Sequence, residues 1–120
     1  AFDTLLRASN AGRAVLVSSG AAQGARAYWG AYAVSKAGLE AMARAWAAES
    51  EKTEMRINLI DPGATRTAMR AAAYPGENPD SLRTAEDITP AFLHLLSSDC
   101  TSQGMLYKAA ELSAKLGSPI

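Results

Sequence analysis

The chain has 120 residues, too few for two independent cores, and 48% of them are hydrophobic, too many for a disordered chain. Twelve basic residues balance twelve acidic ones, which argues against nucleic acid or an anionic membrane as partner, since both require surplus positive charge. One cysteine and one histidine exclude an internal disulfide and a Cys/His metal cluster, and no apolar run approaches the roughly 20 residues of a membrane span.

Phe2, Leu5 and Leu6 with Arg7 read as the last turns of an amphipathic helix, closed by Ser9-Asn10-Ala11-Gly12. This segment lacks the basic-then-apolar pattern of a leader, so a globular protein of a reducing compartment, the cytoplasm, is expected. Residues 14–17 form a continuous apolar run, which suits a parallel strand buried on both faces. A small-residue loop over 20–30 follows, then a long helix from residue 28 or 31 to residue 50. Its apolar positions fall into two stripes. Tyr32, Leu39, Met42 and Trp46 form one, and Ala33, Ala37, Ala41, Ala45 and Ala48 the other. Burial by a sheet on one side and a partner on the other is expected.

Residues 55–60 read as a second strand, stopped by Asp61-Pro62-Gly63. A short helix over 65–73, a breaker-rich loop over 75–80 and an amphipathic helix over 86–98 follow. The last carries Ile88, Phe92, Leu95 and Leu96 on one side, with Pro90 tolerable only near its first turn. Residues 104–107 suit a short third strand, and 109–120 carry signals too weak to assign. Strand, helix, strand, helix, strand predicts a parallel sheet with right-handed crossovers. Three strands would leave a hydrophobic edge at the first, so part of a larger sheet is expected.

Tyr32-Ala33-Val34-Ser35-Lys36 puts a phenol and an ammonium four apart, on one face of a helix. An ammonium near a phenol favours the phenolate, which makes a tyrosine usable for proton transfer near neutral pH. The spacing alone occurs by chance in many helices. It gains weight from its company: Ser18-Ser19-Gly20 closes the preceding strand, and Pro62-Gly63-Ala64-Thr65-Arg66-Thr67 closes the next at the same end of the sheet, where ligands bind in open α/β sheets.

Together these residues resemble the short-chain dehydrogenase/reductase family, whose signature is a serine, twelve residues, Tyr-x-x-x-Lys, and later Pro-Gly-x-x-x-Thr. Asn58 also stands in the usual place. The stretches over 61–70 and 84–90 look similar to a bacterial subgroup of oxidoreductases, the YciK-like proteins. The resemblance runs from about Phe2 to Tyr107 and implies the C-terminal half of a Rossmann-type doubly wound parallel sheet. It implies a single partial domain over 1–120, with the glycine-rich pyrophosphate turn and the active-site asparagine expected upstream. The family's closing Asp-Gly-Gly is not matched; Tyr107-Lys108-Ala109 stands near there.

By this resemblance Tyr32 exchanges the proton with a carbonyl or alcohol, and Lys36 assists it and bonds the nicotinamide ribose. Ser19 binds the substrate oxygen. Pro62, Gly63, Ala64, Thr65 and Thr67 hold the carboxamide of NAD or NADP. A small carbonyl or alcohol substrate is implied, as is a homodimer or homotetramer through the long helix. Two alternatives stay open: a non-catalytic association module built on the alanine stripe, and epimerase or dehydratase chemistry on the same fold.

Ser19 also suits a turn serine, and Thr67 the N-cap of the following helix. Tyr28 and Trp29 are read as packing residues, with a substrate cleft as the alternative. Arg66 and Arg70 are read as solvated or paired with carboxylates rather than meeting an acidic substrate. Met69 and Tyr74 fall where the family has a lid over the substrate. His94 and Cys100 are read as structural, and Ser18-Ser19-Gly20 lacks the spacing of a hydrolase elbow.

Overall fold

The computed structural model describes residues 1–117. Helix α1 (Phe2–Ala8) leads into β1 (Arg13–Val17), and a 3-10 turn at Gly20–Ala22 precedes α2 (Gly30–Glu49). Then come β2 (Arg56–Asp61), α3 (Ala68–Ala73), a 3-10 turn at Pro79–Ser81, α4 (Ala85–Leu96), β3 (Leu106–Lys108) and α5 (Ala109–Lys115). The strands lie in the order β1-β2-β3 and both pairs are parallel, with Ala14 opposite Ile57 and Ile60 opposite Tyr107. This is the parallel sheet that the element series predicts, and it matches the partial Rossmann-type sheet that the family resemblance implies.

Side chains alternate across the sheet, as strand geometry requires. On one face Ala14, Leu16, Met55 and Ile57 meet Ala47 and Trp46 of α2 and Leu6 of α1. On the other, Val15, Ile60 and Tyr107 meet Ile88, Ala91 and Leu95 of α4 and Leu112 of α5. Central β2 is fully buried from Ile57 to Ile60. In contrast to the expectation, β1 is not buried on both faces: its residues are half-buried and Val17 is 41% exposed. The reason is its place at the sheet edge, where a neighbour covers only one side.

The long helix also turns differently from the two stripes read in its sequence. The line facing the sheet holds Glu40, Ala43, Ala47 and, just beyond the helix, Ser50. Ala37, Ala41, Ala45 and Ala48 face outward with Val34 and Met42. Alanine occurs all round this helix, so its small side chains do not mark a buried face by periodicity. Beside the Leu6 contact, α1 is tied to α2 and its end by polar bonds: Trp46 Nε1 donates to Asp3 Oδ1 at 2.6 Å and Arg7 donates to Ser50 Oγ at 2.9 Å, while Arg7 also bonds Asp3 Oδ2 within α1 at 2.8 Å. Gly12 is needed between α1 and β1, because a Cβ there would stand 2.2 Å from the Leu6 carbonyl oxygen.

Boundaries shift elsewhere for local reasons. Thr84 and Asp87 form a reciprocal cap, so α4 starts at Ala85. Pro90 therefore lies in its second turn rather than its first. Gly104, at φ +68°, turns the chain and delays the third strand to Leu106. Asn58 ties this segment to β2 by donating to the Ser102 carbonyl at 2.9 Å and accepting from Met105 N–H at 3.1 Å. The unassigned tail forms α5; residues 118–120 lie outside the described residues.

Candidate active site

Because β1 and β2 run parallel in register, Ser18-Ser19-Gly20 and Asp61-Pro62-Gly63 leave the sheet at one end. The N-terminal turns of α2 stand beside them, and together they border a cleft of about 680 Å³. Ser19, Tyr32, Lys36, Pro62, Gly63, Ala64, Thr65 and Thr67 all line it, so residues up to 48 positions apart in the sequence share one wall.

Each is placed by a local device. Ser19 caps the Gly20–Ala22 turn, its Oγ accepting from Ala21 N–H at 3.2 Å. Tyr32 and Lys36 sit one turn apart on α2, and the ammonium lies 5.8 Å from the phenol ring centroid. Lys36 Nζ also donates to the Val17 carbonyl at 2.9 Å, which joins α2 to the end of β1. Asp61 Oδ1 accepts from Gly63 N–H at 3.0 Å, and Gly63 adopts φ +72°, a left-handed turn that glycine makes without a Cβ clash. Thr67 caps α3, accepting from Arg70 N–H at 3.1 Å, as its turn-residue reading requires.

The outer end of the cleft is aromatic. Trp29 stacks on Tyr74 with centroids 6.0 Å apart and meets Tyr32 edge-on at 5.7 Å. The Arg70 guanidinium lies 3.8 Å over the Tyr74 ring, and Arg26 donates to the Tyr74 hydroxyl. Trp29 thus lines the cleft rather than only packing, while Tyr28, at φ +68°, is fully exposed and packs against nothing. Arg70 bonds both oxygens of Glu77, at 2.8 and 2.9 Å, and Arg66 pairs with Asp80 at 3.4 Å, so both are paired as read. The Arg70 hydrogen bond holds the Glu77 carboxyl below its ordinary value and raises Arg70 in turn. Met69 and Tyr74 also border the cleft. Among the described residues, no group of three potential metal ligands occurs.

Sequence reasoning missed Glu40 and Gln23. Glu40 accepts hydrogen bonds from Ser18 and Gln23 directly behind the Ser19 turn. Its spacing from Tyr32 and Lys36, eight and four residues, could have revealed it as a member of the same helix face.

This set stands at the C-terminal ends of parallel strands, where open α/β sheets bind their ligands. The family model described as short chain dehydrogenase matches residues 1–78, and the chain belongs to that family. It is 45% identical over 106 residues to the uncharacterized oxidoreductase YciK of Escherichia coli (strain K12), covering 88% of this chain and 42% of that protein. A short chain dehydrogenase structure from Salmonella enterica serovar Typhi superposes with TM-score 0.85 at 44% identity, over 88% of this chain and 44% of that one. A short chain dehydrogenase from Escherichia coli CFT073, complexed with NADPH, superposes with TM-score 0.83 at 44% identity, over the same shares. The chain thus spans less than half the length of these relatives. No helix among the described residues is long and apolar enough to cross a membrane.

Proposed function

We propose that this chain carries the proton-transfer site of an NAD(P)-dependent oxidoreductase that reduces a carbonyl or oxidises an alcohol. The observation that supports it most is the single cleft shared by Ser19, Tyr32, Lys36 and the 62–67 segment. Its floor suits a nicotinamide. No atom lies within 4 Å of a Cβ position at Gly63, and Ala64 adds little bulk, so a flat ring has room beside the Thr65 and Thr67 hydroxyls. Lys36 supplies the donor for a ribose hydroxyl. The bound cofactor would supply or accept the hydride.

The chain's own residues handle the proton and the geometry. Tyr32 donates its phenolic proton to the substrate oxygen in reduction and takes it back in oxidation. The Lys36 ammonium, one helical turn away, offsets the negative charge left on Tyr32. Ser19 Oγ already accepts from Ala21 N–H, which leaves its O–H to donate to the same substrate oxygen as charge develops there. Trp29, Tyr74 and Met69 wall the outer cleft and suit a flat, largely apolar small molecule. Cys100 is free and buried, in keeping with a reducing, cytoplasmic setting.

In the full-length enzyme, Tyr32→Phe is expected to cut turnover by about 10²- to 10⁴-fold. The circular dichroism spectrum should not change. Turnover near that of the parent would overturn the role given to Tyr32.

A second reading concerns assembly. Val34 and Met42 are 73% and 52% exposed on α2, beside the outward alanines 37, 41 and 45. This small, apolar face allows a second copy of the helix to approach closely, as in a homodimer. Sedimentation of Ala41→Glu should show a smaller species than the parent; identical profiles would rule this face out.

A further inference from the structure

Glu40 has no part in the proton transfer, yet it is only 4% exposed. A carboxylate taken from water is costly unless its oxygens are bonded. Here donors come from three places: Ser18 Oγ–H at 2.5 Å, Gln23 Nε2 at 3.1 and 3.3 Å, and Arg44 at 3.2 Å. The Arg44 side chain is half-exposed, so that pair contributes little. The other two donors are the informative ones. Ser18 directly follows β1 and Gln23 closes the 3-10 turn, so the carboxylate spans the base of the loop that presents Ser19.

We propose that Glu40 is a positioning residue that fixes the Ser19 turn against α2, so that the Ser19 hydroxyl and the Tyr32 phenol meet one substrate oxygen. The inference rests on the oxidoreductase reading of the cleft. Successive turns of α2 grip successive residues of the strand end: Lys36 holds the Val17 carbonyl and Glu40 the Ser18 hydroxyl. From the other side, Ser18 N–H donates to the Ile60 carbonyl at 2.8 Å. The two grips differ in duty. Lys36 also lines the cleft, where its remaining donors would be open to a bound cofactor, whereas Glu40 is bonded by protein donors. The Glu40 grip would therefore hold the loop whether or not the cleft is filled. Displacing a reacting group by about 1 Å can cost about 100-fold in rate, so a loop this close to the reacting oxygen has to be held.

The test uses the full-length enzyme, NADPH and a panel of aromatic and aliphatic aldehydes and ketones. Glu40→Ala should lower kcat by about 10- to 100-fold while NADPH affinity stays within about twofold. Glu40→Gln keeps an oxygen for Ser18 and Gln23, and should recover kcat to within about threefold of the parent. Ser18→Ala should behave like Glu40→Ala, and the double variant should lose little more. Amide exchange across residues 18–24 should quicken in Glu40→Ala and not in Glu40→Gln. Parent-like kcat in Glu40→Ala overturns the inference, and so does unchanged exchange. Equal loss of kcat, NADPH affinity and melting temperature in both variants overturns it too, since that marks a general structural role. Should the parent show no Tyr32-dependent turnover, the oxidoreductase reading fails instead. The exchange data then decide alone whether Glu40 holds the loop.

Discussion

Helices α4 and α2 cover opposite faces of the same three strands, and they differ in what they bury. α4 sends Ile88, Ala91 and Leu95 into the core and starts with a reciprocal Thr84/Asp87 cap. α2 sends a charged residue, Glu40, toward the sheet with Ala43 and Ala47, and leaves Val34 and Met42 exposed. α4 supports stability, although Pro90 stands in its second turn and Leu93 and Leu96 are exposed, the latter against its expected place on the buried side. α2 differs in burying a charged group beside the candidate site. Such departures collect at functional sites, where polar groups are buried for placement rather than for stability.

The widest separation of the two helices pairs a site variant with a core variant. Tyr32→Phe is expected to remove turnover and leave stability alone, while Leu95→Ala should do the reverse. Leu95 is 1% exposed among Ile60, Ile88 and Leu112, so its truncation should cost about 2–5 kcal/mol in a denaturant titration. A loss below about 1 kcal/mol would mean that the α4 face is not the stabilising one. Removing the cap by Thr84→Ala is a finer probe, expected to cost about 1 kcal/mol, with turnover per folded molecule unchanged.

Acid should give the smallest effect. Hydrogen bonds from the Thr84 backbone and hydroxyl hold Asp87 below its ordinary 3.8, those from Arg7 and Trp46 do the same for Asp3, and Arg70 holds Glu77 below 4.5. A depressed carboxyl binds its proton less readily folded than unfolded. Its stabilising share is therefore full above the unfolded value and is lost as pH falls through the folded one. Urea midpoints should hold between pH 7 and about 5 and decline below that, and Asp87→Asn should flatten part of the decline. A midpoint unchanged down to pH 3 would show that these bonds contribute nothing to folding.

Where one period or one spacing governs, the sequence was legible. The apolar run over 14–17, the Asp61-Pro62-Gly63 stop, and Ile88 and Leu95 on one side of α4 each mark an element without outside help. The spacing of Ser19, Tyr32, Lys36 and Thr67 likewise pointed to a shared site before any geometry was known. Less legible were elements whose residues suit several states. The alanine-rich circumference of α2 hid the face that meets the sheet, and the weak pattern over 109–115 hid α5. Trp29 read as packing because only the fold brings Tyr74 to it from 45 residues away.

By itself, the sequence determined the order of strands and helices, their parallel pairing and the identity of the chemical groups. Those follow from short-range periodicity, turn chemistry and motif spacing, which act along the chain. Only the tertiary structure decided which side of α2 lies on the sheet, that Trp29 meets Tyr74, and that Glu40 sits behind the Ser19 turn. These depend on contacts between distant segments, where burial and hydrogen-bond satisfaction outweigh local preference.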